Sequence, residues 1–162
     1  MIVNIGEVAT FPSAEANREQ SAKVLEEAAE VFAAWQQFDA KGRAMYRQPF
    51  LKKLLSELAD LVMACENMLS GVNQYGLREC ECEGVALTKT YLHGLLLAAA
   101  EVSEAVRMWN LFPSDRTLED LLGTVEELER YACGVISALG VEDFTPYMLA
   151  CEKRNRWRGR YE

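Results

Sequence analysis

The chain has 162 residues, half of them apolar and 26% charged, which suits one domain able to bury a core without disulfides or structural metal. Its formal net charge of -8 argues against nonspecific binding to a nucleic acid polymer or an anionic membrane, since both need basic surface. Five cysteines with no CxxC pair, no membrane-length apolar run, and an N-terminus (MIVNIGEVATFPS) lacking a basic start or an apolar signal core lead to the expectation of a cytoplasmic protein with reduced thiols.

In chain order, Ser13 is the expected N-cap of a first helix reaching about Phe38, with Val24, Ala28, Val31, Phe32 and Trp35 at helical spacing. A polar link, DAKGRAMYR, leads to Pro49 near the start of a second helix. That helix carries Leu51, Leu54, Leu55, Leu58, Leu61, Val62, Cys65 and Leu69 and closes at Gly71. The stretch NQYGLRECECEG reads as loop, and a third helix is expected from about Val85 to Trp109, stopped by FPSDRT. Thr117 is the expected N-cap of a fourth helix, which runs to Gly140 on Leu118, Leu121, Leu122, Val125, Leu128, Ala132, Val135 and Leu139. A fifth opens at Thr145 with Pro146 in its first turn.

No strand pattern competes, so the expected fold is all-α, a single domain over 1–162 with a four-helix core. Residues 13–72 form the first hairpin, 85–140 the second, and 145–162 a basic tail. The hairpins show a faint repeat: EAAEVFAAW resembles EVSEAVRMW, and SELADLVMACENMLSGV resembles VEELERYACGVISALGV.

At about 100° per residue, Glu27 borders the apolar stripe of the first helix, with Glu30 beside it and Glu26 further round. Glu57 borders the stripe of the second helix, and Asp60 follows three residues on. Packed face to face, the two helices would gather four or five carboxylates at one edge, which raises their pKa values unless a cation compensates. A hard divalent ion such as Mg²⁺ takes oxygen ligands and would do so. The plainer reading is a solvated acidic face partnered by lysines such as Lys23. Spacing alone leaves both open.

The motif EEAAE (26–30) followed by ELAD (57–60) resembles the signature of MazG-like all-α nucleoside triphosphate pyrophosphohydrolases. The tail YMLACEKRNRWRGRY is similar to the basic ending of MazG-like and dimeric dUTPase-like members, whereas 73–116 resembles nothing placed. The resemblance implies cleavage of (deoxy)nucleoside triphosphates between the α and β phosphates, with Mg²⁺ (Mn²⁺ as a substitute) held by Glu27, Glu30, Glu57 and Asp60. It makes Glu26 and Glu27 the catalytic candidates, Glu26 as a ligand or as the base that orients water. It also implies a homodimer. Such chemistry needs no histidine or cysteine, and the lone His93 is expected to pack.

Five of the seventeen basic residues fall in the last ten positions, a cluster suited to an anion site. Lys153, Asn155 and Arg158, taken as sharing one face, are the expected triphosphate contacts. In the second hairpin, Glu101, Glu104, Glu126 and Glu129 could offer another metal site. Helix phase and Arg130 instead favour a degenerate half that buttresses the first. Trp35 and Trp109 are expected in the core, and Cys80 and Cys82 as surface loop thiols. A noncatalytic acidic helical adaptor is the alternative function. A di-iron bundle would need two ExxH pairs, and phosphate-binding glycine loops are missing from the sequence. Base preference is not legible.

Overall fold

The computed structural model describes residues 1–42 and 46–162. Five helices dominate: α1 Arg18–Ala40, α2 Arg47–Ser70, α3 Lys89–Leu111, α4 Asp115–Ala138 and α5 Thr145–Trp157. The link expected over 39–47 falls partly outside the described residues. α1 packs on α2 and α3 on α4, while α1 also meets α3 and α2 also meets α4, so two hairpins form an all-α four-helix core. α5 docks on α2.

The stripe residues make this core. Leu54, Leu58 and Leu61 of α2 are completely buried, as are Val24, Ala28 and Val31 of α1 and Leu121, Val125 and Leu128 of α4. Each large aliphatic side chain so placed contributes about 1.5–3 kcal/mol relative to exposure. Trp35 is buried and Trp109 is half-buried against the core. His93, expected to pack, is exposed and only stacks on Phe32, with ring centroids 5.4 Å apart.

Helix starts differ from expectation where two capping residues compete. Asn17, rather than Ser13, caps α1 by accepting from the Gln20 N–H, and residues 5–16 form an extended strap instead. Ser114 caps α4, and Thr117 is the reciprocal partner in its capping box, one turn inside the helix. α3 starts at Lys89, where Thr88 accepts from the Tyr91 N–H, four residues after the expected Val85. α5 begins at Thr145 with Pro146 in its first turn, as expected.

Two strands, β1 (Ile2–Asn4) and β2 (Glu79–Glu81), correct the strand-free expectation. They pair antiparallel, Val3 opposite Cys80. Each has one inward residue between two exposed ones, too short a run for alternation to register in the sequence. That alternation turns Cys80 inward, and Cys82 is buried too, so neither is a surface thiol. β1 anchors the strap. The Ile5 and Gly6 N–H groups donate to the Arg78 carbonyl at 2.7 and 2.9 Å, and Phe11 N–H donates to Asn67 Oδ1 at 2.8 Å.

Candidate metal centre

Glu27 projects from α1, and Glu57 and Asp60 from α2, on the flanks of the stripes that bring these helices together. One carboxylate oxygen from each of the three lies within 4.8 Å of the others. Glu27 and Glu57 are buried, and Asp60 is half-buried. Glu30, one turn beyond Glu27, is exposed and lines the same cleft of about 500 Å³. Three of the four expected ligands, Glu27, Glu57 and Asp60, therefore converge within one ion's reach, whereas Glu30 lines the cleft outside that group.

Glu26 is not. It is exposed, pairs with Lys23 at 3.1 Å, and does not line the cleft. Consecutive residues on a helix lie about 100° apart, so with Glu27 facing the interface Glu26 points past it.

Cations partly offset this charge. Lys23 binds Glu27 at 2.6 Å, Lys53 binds Glu57, and Arg154 of α5 binds Asp60 at 2.9 Å. The lysines reach from one turn earlier on the same helix and are half-exposed or more, so each pair is worth at most about 1 kcal/mol. Burial dominates at Glu27: it lifts the carboxyl pKa to about 7, with Asp60 and Glu30 adding to the rise and Lys23 opposing it. Glu27 Oε2 is buried with no hydrogen-bond partner. An orphaned oxygen among hard oxygen donors is what a divalent cation would satisfy, so the residues present fit Mg²⁺.

From α5, Asn155 lines the cleft, joined by the C-cap residue Arg158 and by Arg160 just beyond the helix. Lys153 does not; it is exposed and lies about 200° round the helix from Asn155, so the shared face expected for the three residues holds only for Asn155 and Arg158. Phe11, Gln20 and Asn67 also line the cleft and were missed in the sequence. Gln20 is seven residues before Glu27 and Asn67 seven after Asp60, two helical turns each, a spacing that places them on the acidic face. Phe11 arrives on the strap, with the Tyr161 ring edge-on at 5.2 Å, and carries no periodic signal.

The second hairpin does not repeat the site. Glu101 is exposed, Glu104 is paired with Arg107 at 2.7 Å, and Glu126 with Arg130 at 2.7 Å. Glu129 is instead buried beside Glu66 of α2, under the loop that precedes β2. Among the described residues, Glu27, Glu57 and Asp60 form the one group of three or more candidate ligands close enough to share an ion.

The fold and this cleft define an all-α bundle with a carboxylate-lined centre on its first hairpin. Comparison with protein-family models, curated proteins and solved structures gives no significant match to the chain. No described helix is long and apolar enough to cross a membrane.

Proposed function

We propose that this protein is a Mg²⁺-dependent (deoxy)nucleoside triphosphate pyrophosphohydrolase that cleaves between the α and β phosphates, releasing a monophosphate and pyrophosphate. The observation that carries the reading is the convergence of Glu27, Glu57 and Asp60 within one ion's reach, in a cleft whose far side is basic. The resemblance of EEAAE and ELAD, which carry these same residues, to the MazG-like signature adds to it.

Glu27, Glu57 and Asp60 would hold the ion. When bound, it would polarise phosphoryl oxygens and acidify a coordinated water. Arg158 and Arg160 would bind the triphosphate and orient it across the carboxylates, since guanidinium groups match phosphate oxygens in pairs. Glu30 lines the cleft and has no ion-pair partner among the described residues, which suits it to orient the attacking water and accept its proton. It takes the role for which Glu26 is poorly placed. The strap residue Phe11 adds an aromatic side chain to the cleft lining.

A panel of nucleoside triphosphates incubated with Mg²⁺, scored for pyrophosphate against orthophosphate, tests the reading. Pyrophosphate with the matching monophosphate is expected; orthophosphate as sole phosphate product contradicts it. No turnover, together with no stabilisation by Mg²⁺, would favour the helical adaptor. The homodimer that the motif resemblance implies is measured by sedimentation.

A further inference from the structure

Among the described residues, Asp60 differs from the other cleft carboxylates in being held from outside its own hairpin. Glu27 and Glu57 are braced by lysines of their own helices. Asp60 is gripped by α5: the Cys151 thiol donates to its Oδ1 at 3.1 Å, and Arg154 Nη2 donates to the same oxygen at 2.9 Å. Cys151 is completely buried, and Asn155 Nδ2 donates in turn to its sulfur at 3.5 Å. Asp60 Oδ2 accepts no hydrogen bond among the described residues.

Two donors converging on one oxygen fix the plane of a carboxylate and leave its second oxygen a single direction. Cys151 is suited to that task rather than to chemistry of its own. It is completely buried and its sulfur is seated between Asp60 Oδ1 and Asn155 Nδ2, so no substrate reaches it and its S–H is directed at the carboxylate. Ligating groups held by such outer partners bind metal more tightly because their orientation is set before the ion arrives.

We infer that Cys151 and Arg154 are positioning residues, which hold Asp60 Oδ1 from α5 so that Oδ2 is presented to a divalent cation. The same contacts tie the acidic hairpin to the helix whose Asn155 and Arg158 line the cleft, so ion and phosphate sites are aligned by one docked helix. This inference rests on the cation reading of the cleft proposed above.

Calorimetric titration of Mg²⁺ alone, without nucleotide, reads the effect directly. Cys151→Ala and Arg154→Lys both preserve net charge, so any change in affinity comes from geometry. The double variant is expected to bind Mg²⁺ about 10- to 100-fold more weakly than the wild type. Cys151→Ser, which restores a donor at the same place, should bind nearly as well as the wild type. Cys133→Ala, an equally buried change away from the cleft, should lower the melting temperature and leave the affinity alone. Wild-type affinity in the double variant, or equal weakening by Cys133→Ala, overturns the positioning role while the metal reading stands. If the wild type itself takes up no Mg²⁺, the metal reading fails and the positioning role goes with it. Should the double variant not fold, Cys151→Ala alone decides on the same criterion.

Discussion

Glu66 of α2 and Glu129 of α4 meet beneath the backbone of Gly76. The Gly76 N–H reaches both Glu66 oxygens at 3.1 and 3.0 Å, and the Leu77 N–H donates to Glu129 Oε2 at 3.0 Å. Glu129 Oε1 is buried with no partner of its own. Two carboxylates buried against the same stretch of backbone cannot both ionise cheaply, which favours the protonated form of one of them. Burial first, and then Glu66, raise the Glu129 pKa to about 8, while burial raises that of Glu66.

The sign of the resulting pH dependence follows from linkage. Above its ordinary value of 4.5, Glu129 is ionised in the unfolded chain but still protonated in the folded one. Stability from this group is therefore complete below that pH, falls as pH rises, and is lost above about 8. Glu27 adds a similar slope that ends near 7. Urea unfolding from pH 5 to 9 should show the decline. Glu129→Gln, which keeps an acceptor for Leu77 and a donor for Glu66, should make the decline shallower throughout, up to about pH 8. Identical slopes in the two proteins would mean that Glu129 does not retain the proton.

Gly76 itself permits this seat. A methyl group at its Cα would overlap both carboxylates, which are buried and would have to give up their hydrogen bonds to the loop backbone to make room. Gly76→Ala should cost about 1–3 kcal/mol, as overpacking does, and the same urea titrations measure it. Loss of less than the effect of an ordinary surface substitution would show that the loop shifts freely.

These features mark the limit of what the sequence shows. The apolar stripes of α1, α2, α3 and α4 were legible because burial of one face leaves a period of 3.6, and the carboxylates were legible because they flank those stripes. Glu66 and Glu129 were not, because Glu66 interrupts an apolar run, Glu129 is one of several charges in EELER, and the compensation of both comes from loop backbone outside their helices. The strands and the strap were hidden for the same reason. Their positions are decided by hydrogen bonds to Arg78, Glu142 and Asn67, which local periodicity does not encode. Asn17 prevailed over Ser13 as N-cap where both residue types suit the role.

The cleft should behave as a cation site in thermal melts. Mg²⁺ at a hundred times its dissociation constant is expected to stabilise the protein by about 2.7 kcal/mol, since it binds the folded state. Glu57→Gln removes one proposed ligand and the charge that Lys53 answers, so this variant should melt at a temperature indifferent to Mg²⁺. A Mg²⁺-dependent rise as large in Glu57→Gln as in the wild type would place the ion elsewhere.

The basic side of the cleft separates Arg158 from Lys153, two cations on one tail. Arg158 lines the cleft together with Asn155 and Arg160, whereas Lys153 faces away on the exposed side of α5. If the arginine binds the triphosphate equally in ground and transition states, Arg158→Ala raises KM and leaves kcat nearly unchanged. Loss of one charge-assisted contact of about 1.5–3 kcal/mol corresponds to roughly a 10- to 150-fold rise in KM. Lys153→Ala removes the same formal charge from the chain and should leave KM within about twofold, because a solvent-exposed charge that does not line the cleft is weakened by salt screening. Steady-state kinetics of the two variants on the best triphosphate distinguish a directed contact from a general electrostatic attraction. An equal rise in KM for both would assign the tail a diffuse role and remove Arg158 from the site.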